Sequence, residues 1–218
     1  MSGLRVVLTS NFPRAGNEAV AAIVHRECAD GGWAWLSPRA GAHRFEDARR
    51  ELASYGLGDV VALSSGLADS SAAGRALILS GGEPIGYREE VLQAQAHRWW
   101  PQRAPSSGLV VAASGGAMLL TLNVSSFRLL TCSVETVVNE RDAYPALEWV
   151  PFEVLPHANR QTPSFVEKVA RYAAPTGARV WCHPDGAAVS WSAAVGTEPV
   201  GGAYLLDTLG LDDASGEH

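Results

Sequence analysis

Ser114 stands between a strand-like run, Leu109 to Ala113, and a run of good helix formers, Ala117 to Leu122, with Gly115 and Gly116 directly behind it. A serine on such a turn is lifted clear of a sheet, and the helix that begins after it points N–H groups at any oxyanion forming beside it. The string Ala112 to Gly116 matches the G-x-S-x-G nucleophile elbow in part, with Ala112 in place of the first glycine. The chemistry it suggests is acyl transfer. The bland reading is a small-residue turn of the kind any α/β protein uses.

A nucleophilic serine needs a histidine base within hydrogen-bond reach, itself held by a third polar group. Of six histidines, His25 and His97 fall within helical stretches, His43 precedes one and His218 is terminal. His157 and His183 each follow a strand-like run, and His157 is preferred because Pro156 stiffens the turn before it. Gly81 and Gly82 follow another strand and could add N–H groups to those of the elbow, Gly82 pairing with Gly115 as an oxyanion hole. Glu135, Glu140, Asp142 and Glu153 could each orient a histidine, and residue type alone does not choose among them. Trp99, Trp100, Trp149, Trp181 and Trp191 read as core or interface anchors. No His, Cys, Asp and Glu cluster has metal-ligand spacing, and no G-x-G-x-x-G or P-loop is present, so no cofactor or metal is expected.

Strands and helices must alternate to bring these residues together. Strands are predicted at Leu4 to Thr9, Trp33 to Leu36, Asp59 to Leu63, Arg75 to Leu79 and Leu109 to Ala113. Helices fall at Gly16 to Glu27, Phe45 to Tyr55, Glu89 to Ala96 and Ala117 to Leu122. The expectation is an α/β fold, a largely parallel flavodoxin-like sheet with helices on both faces, whose ligands bind beyond the carboxyl ends of the strands. In the last third, Arg128 to Val138 reads as an exposed strand or hairpin and Pro163 to Ala173 as a helix. Val180 to His183, Ala187 to Trp191 and Tyr204 to Leu206 read as a terminal β meander. Residues 1–206 are expected to form a single domain, and the acidic stretch 207–218 a frayed tail.

With 218 residues, 47% of them hydrophobic, the chain can build a core without disulfides, and the three cysteines (Cys28, Cys132, Cys182) read as free thiols of a reducing cytoplasm. A net charge of −6 without a basic block argues against nucleic acid. No apolar run spans a bilayer and no signal-peptide pattern opens the chain. The expected partner is a small peptide or small-molecule substrate, with a homodimer left open.

Several of these segments together resemble the aspartyl dipeptidase, or peptidase E, family of serine peptidases, which have a class I glutamine amidotransferase-like fold. The segments are Leu8 to Asn11 (LTSN), Leu79 to Glu83 (LSGGE), Val111 to Ala117 (VAASGGA), Ala146 to His157 (ALEWVPFEVLPH) and His183 to Gly186 (HPDG, like the family's P-E-G turn). The likeness runs from the first strand to about Leu206. It implies Ser114 as nucleophile and His157 as base. It also implies an acid after the elbow helix. Phe127 to Thr131 holds no carboxylate, so Glu135 is the nearest candidate for that role. Glu83 stands where the family has asparagine, beside the expected oxyanion site, and Arg160 is the nearest cation for an acidic substrate. The implied activity is hydrolysis of small peptides. The alternative is a catalytically degenerate member that binds a ligand or partner. An amidotransferase would need a cysteine at the elbow.

Overall fold

A computed structural model of the chain describes residues 4–11, 18–27, 33–36, 46, 50, 60–62, 76–93 and 108–206. The expected helix at Phe45 to Tyr55, apart from Glu46 and Arg50, lies outside them, as do Trp99, Trp100, Cys28 and the tail 207–218.

The apolar runs of the first half form β1 (Arg5–Thr9), β2 (Trp33–Leu36), β3 (Val60–Ala62), β4 (Ala76–Leu79) and β5 (Leu109–Ala113). They lie side by side as β3-β2-β4-β5-β1, every pair parallel. Continuous apolar strands need cover on both faces. Val6, Leu8, Leu77, Leu79, Val110 and Ala112 share one core with α2 (Pro84–Gln93) and α3 (Gly115–Leu119). Val7, Ile78 and Val111 alternate to the other face and are equally buried, as are Val20 and Val24 of α1 (Glu18–Glu27).

The α/β class therefore stands, and the parallel character ends at β1. Beyond it β8 (Ala188–Ser192) and β9 (Gly196–Val200) continue the sheet antiparallel. β6 (Glu153–Pro156) and β7 (Val180–His183) pair in parallel in a second sheet, closed by antiparallel β10 (Tyr204–Leu205). The expected terminal meander is thus divided: β8 and β9 form a hairpin, and β10 returns to β7. Val154 and Trp181 of the small sheet share the core of Val6 and Leu8, so one apolar core joins both sheets.

Arg128 to Val138 is not a strand. It forms a 3-10 turn (Ser125–Leu130) and then α4 (Val134–Asn139), capped by Ser133, whose hydroxyl accepts from Thr136 N–H at 3.1 Å. Val134, Val137 and Val138 recur at helical spacing and pack toward α5 (Pro163–Thr176), so burial outweighs the strand preference of β-branched residues. Thr162 caps α5 by accepting from Phe165 N–H.

Candidate active site

Ser114 follows the last residue of β5 with φ 52° and ψ −121°, a conformation that costs a side chain about 1–3 kcal/mol. Neighbours hold it there. Its N–H donates to Thr9 C=O at 2.9 Å, and its own C=O accepts from Met118 N–H in the first turn of α3. The turn closes against the loop after β4 because residue 115 lacks a side chain: a Cβ there would lie 2.0 Å from Gly82 O. A Cβ at Gly116 would lie 2.5 Å from Ser80 O. These contacts explain why a serine followed by two glycines appears at this crossing.

His157 is the first residue after β6 and is left-handed (φ 56°, ψ 35°), a turn stiffened by buried Pro156 before it. Its N–H donates to Ser10 Oγ at 2.8 Å, and Ser10 Oγ–H donates to His183 C=O at 2.6 Å. The imidazole Nε2 lies 3.1 Å from Ser114 Oγ, and Nδ1 lies 2.7 Å from Asp185 Oδ1. Parallel pairing of β6 with β7 sets Pro156 opposite His183, which puts the residues just beyond each strand end side by side. Asp185 is then fixed by its surroundings. Asn159 Oδ1 accepts its backbone N–H at 2.8 Å, and Arg160 Nε donates to Oδ2 at 2.5 Å. Partial burial pushes the Asp185 carboxyl up, but hydrogen bonds and charge from His157 and Arg160 outweigh it and hold the group below its usual range. An ionised Asp185 selects the tautomer in which Nδ1 carries the proton and Nε2 accepts from Ser114 O–H.

The carboxylate on the imidazole is therefore Asp185, not Glu135. Glu135 sits in the exposed first turn of α4, on a surface cleft with Ser133, Ser164, Glu167, Lys168 and Arg171, while both ring nitrogens of His157 are taken by Ser114 and Asp185. Glu140 pairs with Arg128, and buried Glu153 meets Arg141 at 2.8 Å and Tyr172 OH at 3.1 Å. Burial raises the Glu153 pKa against the opposing pull of those two partners. His183 is wholly buried, with no partner for either ring nitrogen among the described residues, and desolvation lowers its pKa to about 3.

Glu83 was expected to bear on the substrate, but its carboxylate caps α2, accepting from Ile85 N–H at 3.0 Å and Gly86 N–H at 2.7 Å. With Pro84 as the first helical residue, this cap starts the helix well before the expected Glu89. Arg160, expected as a substrate-reading cation, donates to Asp185 instead. Gly82 and Gly115 line the same pocket as Ser114 and His157. Among the described residues no group of three His, Cys, Asp or Glu side chains gathers as a metal site, and no helix is long and apolar enough to cross a membrane. Cys132 and Cys182 are free thiols, the latter buried and pushed up to about 11 by desolvation, against a hydrogen bond from Tyr204.

No family model matches the chain, and no curated protein matches it. Solved structures do. One is that of a protein from Listeria monocytogenes EGD-e named as a peptidase E candidate (TM-score 0.65, 18% identity, covering 95% of this chain and 100% of that one). Another is a peptidase from an acI-B1 Actinobacterium (TM-score 0.63, 18% identity, covering 95% of this chain and 92% of that one). Over nearly its whole length the chain shares the fold of these two proteins.

Proposed function

We propose that this protein is a serine hydrolase of the peptidase E kind, cleaving small peptides through Ser114, His157 and Asp185. The observation that supports it most is the linear array from Ser114 Oγ through His157 to Asp185, with steps of 3.1 and 2.7 Å. In this reading Ser114 Oγ attacks the scissile carbonyl carbon and its proton passes to His157 Nε2. The oxyanion is held by N–H groups of Gly82 and Gly115. As the C–N bond breaks, His157 returns the proton to the leaving amine. Water, deprotonated by the same nitrogen, then hydrolyses the Ser114 ester and frees the acid. Asp185 stabilises the imidazolium throughout and remains ionised.

The alternative of a degenerate, ligand-binding member drew on a missing acid and on Glu83 near the oxyanion site. Asp185 supplies a carboxylate, and Glu83 is taken up by α2, so neither feature favours it.

Fluorophosphonate labelling followed by peptide mapping tests the proposal. An adduct at Ser114, absent from Ser114→Ala and strongly slowed in His157→Ala with folding intact, is the expected result. Native protein that stays unlabelled while a reference serine hydrolase reacts would sink it.

A further inference from the structure

The pocket that opens onto Ser114 is walled by Met118, Phe127, Leu130, Leu155 and Phe165, and among its described lining residues none is charged. Its remaining hydrogen-bonding side chains, Ser126 and Gln161, are neutral. Of the charged residues expected beside the site, Glu83 caps the start of α2 and Arg160 donates to Asp185. Leu130 lines the pocket yet remains 54% exposed, which leaves apolar surface at the rim for an incoming group to cover.

Ser114, Gly82 and Gly115 line this pocket together with Met118 and Phe127, so a group held at Ser114 Oγ adjoins the apolar wall. An aliphatic or aromatic side chain entering there sheds water against like surface. A carboxylate entering there would lose its hydration and meet no cation among the described lining residues.

We infer that this pocket is the subsite for the side chain whose carbonyl Ser114 attacks, and that it selects leucine, methionine or phenylalanine over aspartate. The inference rests on the reading of Ser114 as nucleophile. It departs from the acidic preference implied by the resemblance to aspartyl dipeptidases.

The test uses the full chain and aminoacyl p-nitroanilides with Leu, Met, Phe or Asp as the acyl residue, so that the leaving group stays constant. Expected is a kcat/KM for the apolar substrates at least about tenfold above that for Asp, the scale on which pocket contacts discriminate. Leu130→Arg, a change at an exposed position, places a guanidinium at the rim and is expected to cut the Leu-to-Asp ratio at least about tenfold. Equal or better cleavage of the Asp substrate by the native protein overturns the inference, as does a ratio that Leu130→Arg leaves untouched. Fluorophosphonate labelling run in parallel separates the two readings. Protein that labels at Ser114 but prefers Asp, or cleaves none of the four, overturns the subsite alone. Protein that does not label overturns the nucleophile.

Discussion

Asp185 carries two duties, accepting from His157 Nδ1–H and from Arg160, and each partner stabilises its charge. Replacing it by asparagine keeps the shape but lets Nδ1 become the acceptor, which removes the proton-accepting lone pair from Nε2. Asp185→Asn is expected to lower kcat by about 10³ to 10⁴, as the loss of such an orienting acid does elsewhere, while Glu135→Gln leaves steady-state kinetics unchanged. The same geometry sets the pH profile. Asp185, held below the usual carboxylate range, stays charged in mildly acidic solution, so the acid limb of kcat/KM is expected to show a single step with no carboxylate-like one. A second, carboxylate-like step that survives in Glu135→Gln and disappears in Asp185→Asn would contradict this assignment.

Among the elements, the exit of β1 does most to position the site. Ser10 is buried where the two sheets meet, taking the N–H of His157 and giving its proton to His183 C=O; Asn11 Oδ1 accepts from Gly186 N–H at 3.3 Å, beside Asp185. Ser10→Ala leaves one buried donor and one acceptor unpaired, a cost of about 1–3 kcal/mol in urea unfolding. Through the shifted imidazole it is expected to reduce kcat on the order of tenfold to a hundredfold with little change in KM. Unchanged kcat would reduce Ser10 to a packing residue. Ser114 and His157 were legible in the sequence because their signals are local: a serine with two glycines after a strand, and a histidine after a strand-ending proline. Asp185 was hidden in Pro184-Asp185-Gly186, a string that reads as any turn. What sets it apart is the β6–β7 register, a contact between distant parts of the chain. Likewise the α4 segment, rich in β-branched residues, read as a strand because its Ser133 cap was outweighed by propensity.

At the scale of the whole molecule, acid sensitivity is written into His183. Its folded pKa of about 3 lies below the roughly 6.5 of an unfolded histidine, so below that value the unfolded chain binds a proton that the native protein refuses. Its contribution is intact above pH about 6.5 and declines by up to ~1.4 kcal/mol per pH unit on the way down to the folded pKa. Asp185 acts in the same sense at lower pH, whereas Glu153, with its raised pKa, acts oppositely. The comparison of interest is therefore native protein against His183→Leu. Urea midpoints measured between pH 8 and 4 should fall less steeply in the variant; parallel slopes would mean that His183 is not the group responsible.

The place of β1 in the large sheet has a consequence for how the protein is made. Arg5 pairs with Leu109 on one side and with Ser192 on the other, so β1 is synthesised before either neighbour and must wait for both. Ser114, His157 and Asp185 are all synthesised before β8, yet Ser10, which seats the histidine, rides at the end of β1. Under the proposed function, the complete site therefore assembles late in biosynthesis. A nascent chain halted short of β8 holds Ser114, His157 and Asp185 while β1 still lacks one of its two partners.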